Sequence, residues 1–303
     1  MSTPSDIPVW AYGLPILAVF IWSINIVVTR YAAPFIEPIS ISFYRWLLAL
    51  LILTPFVLPK LIRSWHDIRP HLGKLAVLGL FGMVCYQGFA YSAAHYTTAT
   101  NMGIINALIP VFTIFLSVLL LSIRPSRAAL LGSMVSLIGI GLVITQGDLS
   151  RLLGGSLHGD LLMLIAVFLY AFYGIFLQRW KLQLPLALSL YAQVFFAVVF
   201  HVPLILWTGL DPINSSNWAA VGYAAVFPSI FAPFLWMLAI QYLQPNRSSI
   251  FMNLMPVFTA IIAVLFLNES WTLYHSVGGA LVLLGVIWAQ RSQQAVPKVG
   301  KTL

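Results

Sequence analysis

The stretch Pro110-Val111-Phe112-Thr113 recurs as Pro256-Val257-Phe258-Thr259. The offset of 146 residues (256 − 110) also lays Leu108 on Leu254, Gly132 on Gly278, Leu137 on Leu283 and Gly139 on Gly285. One unit is written twice. In each copy the proline lies inside an apolar run long enough for a helix. There it lacks an N–H, and its ring clashes with the carbonyl four residues back, that of Asn106 or Met252. A backbone group left unpaired in hydrocarbon is costly, so such breaks survive where protein or a wet cavity can satisfy them. A broken segment repeated in corresponding positions of two halves is the sequence pattern of a transporter's binding site.

Composition sets the solvent. Of 303 residues 61% are hydrophobic and 7% charged, and the mean hydropathy is +0.96. A soluble domain carries roughly 25% charged residues, so this chain is read as living in lipid. A helix that crosses a bilayer needs about 20 largely apolar residues. Ten runs qualify: about 9 to 29, 39 to 58, 72 to 94, 98 to 121, 127 to 146, 157 to 178, 184 to 207, 217 to 240, 246 to 267 and 271 to 290. The longest polar breaks fall at Lys60 to His71 and Gly147 to Gly159. The first run follows Asp6 with no basic residue before it and no small-residue cleavage site, so it reads as a retained span and not a signal peptide. The single cysteine, Cys85, lies in an apolar run and reads as packing.

The formal charge of +8 raises the question of nucleic acid, and the placement of the charges answers it. With the N-terminus inside, twelve basic residues face the cytoplasm: Lys60, Arg63, Arg69, Lys74, Arg124, Arg127, Arg179, Lys181, Arg247, Arg291, Lys298 and Lys301. Only Arg30 and Arg151 fall outside. Glu37, Asp148, Asp160, Asp211 and Glu269 gather at the outer side. The basic excess therefore sets topology: both termini are expected in the cytoplasm, with no nucleic-acid partner. Five spans per copy is an odd number, so the second copy must enter the membrane the other way up. The expected fold is an all-α integral membrane protein, ten transmembrane helices in two inverted five-helix repeats at 9–146 and 157–290. Gly132, Ser136 and Gly139, like Gly278 and Gly285, lie along one helix face and are expected to let helices pack closely, within or between the repeats.

Polar side chains in these helices form stripes. The fourth span carries Asn106, Pro110, Thr113 and Ser117; the ninth carries Ser249, Asn253 and Pro256. The first adds Pro15, Trp22, Asn25 and Thr29, and the third adds Tyr86, Gln87 and Tyr91. The sixth adds Tyr170 and Tyr173, and the eighth Pro228, Pro233 and Trp236. Any one aromatic reads equally as packing or interface belt. Convergence favours a site, because Asn25, Gln87, Asn106 and Asn253 would all need partners at membrane depth. Arg45, in Phe43-Tyr44-Arg45-Trp46, can snorkel outward or pair with Glu37 or Glu269; contact with a substrate carboxylate is the alternative. His201 reads as a satisfied structural group.

No Walker motif, His-Glu-x-x-His or Gly-x-Ser-x-Gly is present, which argues against an ATP-driven pump, a metalloprotease and a serine hydrolase. No cofactor and no metal are expected. All seven acidic residues lie in loops or at span ends, which points to uniport or exchange rather than coupling through a buried acid.

Several motifs carry a family resemblance over nearly the whole chain. In the first half they are Phe20-Ile21-Trp22-Ser23-Ile24-Asn25 with Thr29-Arg30, Phe43-Tyr44-Arg45-Trp46 and Ala107-Leu108-Ile109-Pro110-Val111-Phe112. In the second half they are Leu254-Met255-Pro256-Val257-Phe258 and Asn268-Glu269, the last with Asn where the family usually has Gly. On these residues the chain resembles the EamA-type exporters of the drug/metabolite transporter superfamily, and among them the bacterial exporters of aromatic amino acids. The resemblance implies export of aromatic and other neutral amino acids through a cavity between the repeats by alternating access; the chain is expected to act as a monomer in the bacterial inner membrane. Carriage of nucleosides, sugars or cationic drugs is the alternative within transport, and a membrane-embedded enzyme the alternative of another class.

Overall fold

A computed structural model describes residues 8–122, 125–148, 157–243 and 248–293. Residues 149–156 of the loop between Gly147 and Gly159, Arg151 among them, together with Asp6, Arg124, Arg247, Lys298, Lys301 and the side chains of Ser249 and Arg291, lie outside the described residues. Among the described residues nine helices are long and apolar enough to cross a membrane. They are α1 (Val9–Phe35), α2 (Pro38–Arg63), α3 (Trp65–Ala93), α4 (Ala99–Leu121), α5 (Arg127–Thr145), α6 (His158–Trp180), α7 (Leu186–Thr208), α8 (Trp218–Leu243) and α9 (Ile250–Leu267). A tenth, α10 (Leu273–Gln293), carries the shorter apolar run Leu273–Ala289. The chain is an all-helical multi-pass membrane protein.

One expected boundary is corrected. The break anticipated over Lys60 to His71 shrinks to a kink at Ser64, with α2 helical through Arg63 and helical turns resuming at Trp65. Polar residues do not end a helix that has already left the hydrocarbon. Pro70 sits in the first turn of its short segment, where a missing N–H costs little.

The packing repeats with the sequence. Contacts of α3 with α6 answer those of α8 with α1, α4 on α6 answers α9 on α1, and α2 on α8 answers α7 on α3. Three packings map onto themselves when the copies are exchanged: α2 on α7, α4 on α9 and α5 on α10. The last shows the inversion directly. Gly132 meets Gly285 while Gly139 meets Gly278, so the two equivalent helices run antiparallel. A Cβ on Gly132 would stand 2.5 Å from the Gly285 carbonyl oxygen, and one on Gly139 would stand 2.7 Å from that of Gly278. The glycine faces therefore join the two halves. Ser136 Oγ donates to the carbonyl of Val282, 3.0 Å away and its own counterpart (136 + 146 = 282), which puts the pseudo-twofold axis beside this pair.

The proline breaks form as expected, but their carbonyls are not both free. Span α4 divides into Ala99–Asn106 and Ile109–Leu121, with Pro110 in the first turn of the second piece. Span α9 opens as a 3₁₀ segment, Ser249–Leu254, before the α-helix Met255–Leu267 with Pro256 in its first turn. In the second copy the Met252 carbonyl accepts the N–H of Met255, so the orphan acceptor expected there is already paired. A 3₁₀ turn accepts from three residues on rather than four, and thereby avoids the proline nitrogen. Both spans then end alike. Ser122 and Asn268 adopt φ of +54° and +53° and close their helices onto Ser117 and Ala263. That left-handed position favours Gly or Asn, which accounts for Asn268 in place of glycine.

A candidate transport site between the two halves

The third and eighth spans each carry a feature that the sequence reading missed. Residues Leu80–Cys85 and Phe227–Phe231 form π-helical turns, one offset apart to within a residue (227 − 146 = 81). A π-turn inserts an extra residue and disturbs the backbone ladder. In both copies a tryptophan from a neighbouring span supplies a hydrogen bond there. Trp46 Nε1 donates to the Met83 carbonyl at 3.1 Å, and Trp22 Nε1 donates to the Pro228 carbonyl at 3.1 Å. Pro228 also frees the carbonyl of Ala224, and Ser229 Oγ repairs this by donating to it at 2.7 Å. A proline followed by serine inside an apolar run is the signal that would have found this arrangement.

The same Ser229 oxygen accepts from Arg45 Nε at 2.7 Å. Arg45 is only 3% exposed, so it does not snorkel. Nor does it pair with either expected acid. The Glu269 carboxylate accepts from the N–H groups of Ala99 at 2.7 Å and Thr100 at 3.0 Å, at the start of α4, while Glu37 is exposed. The remaining contacts of Arg45 are Nη1 to the Tyr91 hydroxyl at 3.4 Å and its guanidinium over the Trp46 ring, 4.8 Å from the centroid.

The expected aromatic residues come together in two connected groups. Tyr86 and Tyr170 have ring centroids 4.7 Å apart and Tyr170 and Tyr173 5.3 Å apart, joining α3 to α6. Tyr173 can approach because Gly82, in the first π-turn, has no side chain to block its ring. Trp22 and Trp236 lie 5.6 Å apart between α1 and α8. Trp22, Tyr86 and Trp236 all pack on one core that includes Ile104, Leu108 and Met255, beside the two proline breaks.

Asn106 ties the tyrosine group to the α9 break. Its Oδ1 accepts from the Tyr86 hydroxyl at 3.2 Å and its amide donates to Met255 Sδ at 3.0 Å. Ser23 adds a 3.3 Å bond to the Met255 carbonyl. Asn25 carries a buried Oδ1 with no hydrogen-bond partner among the described residues, an acceptor awaiting a donor. Gln87 is buried and Asn253 half-buried, and neither side-chain amide is hydrogen-bonded to a described residue. Tyr91 is buried toward the acidic end, among Ile36, Ile41 and Val221, and Pro110 and Pro256 occupy the two breaks. His201 is satisfied as expected, with Nδ1 on the Ala197 carbonyl at 2.7 Å and Nε2 on Ser42 Oγ at 2.9 Å.

The sequence model of the EamA-like transporter family matches this chain twice, over residues 9–145 and 157–290. The chain belongs to the EamA-like transporter family. Similar proteins include an uncharacterized transporter of Archaeoglobus fulgidus, 29% identical over 89% of this chain and 93% of its own length. The uncharacterized transporter YyaM of Bacillus subtilis is 28% identical over 86% of this chain and 87% of its own. A crystal structure with 16% sequence identity superposes with a TM-score of 0.63, covering 94% of this chain and 99% of the other, a likeness of fold. As in other transporters built from inverted repeats, broken helices and the seam between the halves fall together, and in this EamA-like transporter that seam holds the aromatic and amide groups just described.

Proposed function

We propose that this EamA-like transporter exports neutral amino acids, aromatic ones among them, across a bacterial inner membrane with both termini in the cytoplasm. The units 9–146 and 157–290 would rock against each other about the α5·α10 seam in alternating access. One observation carries the reading: aromatic faces and amide groups, one of them with an unpaired oxygen, share a single stretch of the interface. The rings of Trp22, Trp236, Tyr86, Tyr170 and Tyr173 offer an apolar wall, and aromatic pairing adds about 0.5 to 1.5 kcal/mol beyond burial. Asn25 Oδ1 is an acceptor placed to take an ammonium N–H, with Asn106, Gln87 and Asn253 as further amides. A zwitterion with an apolar side chain needs both surfaces.

Counterflow tests it. Purified protein in liposomes loaded with unlabelled phenylalanine is expected to accumulate labelled phenylalanine, tryptophan and leucine, but not labelled glucose or uridine. Accumulation of the sugar or nucleoside alone would overturn the substrate class and leave the carrier fold standing.

A further inference from the structure

Resting on that substrate class, we propose that Arg45 is the group that receives the carboxylate of the transported molecule. A guanidinium has five N–H donors. Here Nε is held by Ser229 and one Nη1 donor by Tyr91, while Nη2 has no hydrogen-bond partner among the described residues. No carboxylate pairs with Arg45 among them either. A buried charge without a counter-ion is strongly unfavourable, and ionisable groups inside spans mark substrate or ion pathways. The surroundings fix the guanidinium and leave its outer edge without a hydrogen-bond partner among the described residues. Ser229 fixes one end because Pro228 obliges the serine to serve the Ala224 carbonyl, and the Trp46 ring covers one face. What remains is a fork whose geometry suits a carboxylate in two parallel hydrogen bonds. Arg45 donates to Tyr91 on α3, the span that also carries Tyr86, so a carboxylate at Arg45 leaves the rest of a small amino acid on the side of the aromatic wall. It also disfavours cationic cargo.

The test uses the full chain in liposomes, with unlabelled compounds competing for labelled phenylalanine counterflow. Wild type is expected to be inhibited at least tenfold more strongly by phenylalanine than by phenylalaninamide, which keeps the ring and ammonium but lacks the carboxylate. Arg45→Met should raise the apparent KM for phenylalanine at least tenfold and abolish that discrimination. Arg45→Lys, a point charge without the fork, should fall between them. If Arg45→Met does not yield monodisperse protein, Ser229→Ala decides: it keeps the charge but frees the guanidinium, and should raise KM several-fold for phenylalanine and leave inhibition by the amide unchanged. A folded variant with unaltered KM and discrimination overturns the role of Arg45 while amino acid transport stands. Inhibition of wild type by inorganic phosphate as strong as that by phenylalanine would assign the fork to phosphate and overturn the carboxylate. A wild-type protein that exchanges no amino acid overturns the substrate class and this inference with it.

Discussion

The indole of Trp22 closes a π-turn through its N–H and faces Trp236 through its ring, and two substitutions separate these roles. Trp22→Phe keeps an aromatic face but strands the Pro228 carbonyl. It is expected to lower thermal stability in detergent by about 1 to 3 kcal/mol, the cost of leaving a buried acceptor unsatisfied, with the ranking of substrates unchanged. Trp22→Ala should in addition lower transport of tryptophan and phenylalanine more than that of alanine; an unchanged ranking in folded Trp22→Ala would reduce the residue to packing. Asn106 belongs to the polar side of the site. Removing it unpairs the Tyr86 hydroxyl and a donor to Met255 together, so Asn106→Ala should depress counterflow of every amino acid alike, with initial rates as the measurement.

Among the elements, α5 and α10 carry the seam. A side chain at Gly285 meets the carbonyl of Gly132 at 2.5 Å, a backbone atom that cannot step aside. Gly285→Val is therefore expected to cost about 1 to 3 kcal/mol, the usual range for overpacking, seen as a lower melting temperature. Gly141, on the same α5, has open space within 4 Å of where a Cβ would stand, and Gly141→Ala should leave the melt unchanged or higher. Equal effects at the two glycines would mean that the seam is not closely packed. The sequence reading placed these glycines on one face but left open whether they join helices within a repeat or between repeats. Spacing defines a face and names no partner.

Across the whole molecule, hydrogen bonds between elements gather at the acidic end. Glu269 holds the start of α4, and Asp160 accepts from Thr97 and from the Asn101 amide at 3.2 Å. Arg30 reaches the Ala94 carbonyl, Asp211 accepts the Glu37 N–H at 2.7 Å, and Asn217 binds the Phe35 carbonyl at 3.3 Å. Under the proposed topology this end is outside, and these bonds tie the helix ends together there. In a Cys85→Ala background, cysteine at Thr29, buried just beneath it, should react slowly with an impermeant thiol reagent applied to intact cells. Glu269→Gln, which weakens the acceptor at the α4 terminus, should speed that reaction several-fold. Cysteine at Ser215 should be labelled freely in the same cells and cysteine at His66 should not. The reverse pattern would invert the topology.

The sequence by itself determined the span count, the doubling and the inversion. Apolar length, a fixed offset and the sign of loop charges are properties of the chain read in order, and lipid permits few ways to satisfy them. It also named the broken helices, because a proline removes a donor wherever it stands. The destination of the disturbed acceptors divides: local geometry serves two of them, and only the tertiary structure brings partners to the other two. Met252 is served by its own 3₁₀ turn, Ala224 by Ser229, and Met83 and Pro228 by tryptophans more than thirty residues distant. Arg45 shows the same division. Its presence in a span was legible, but that Glu37 and Glu269 were engaged or exposed elsewhere, leaving it with no carboxylate partner among the described residues, depended on which helix ends came together in space.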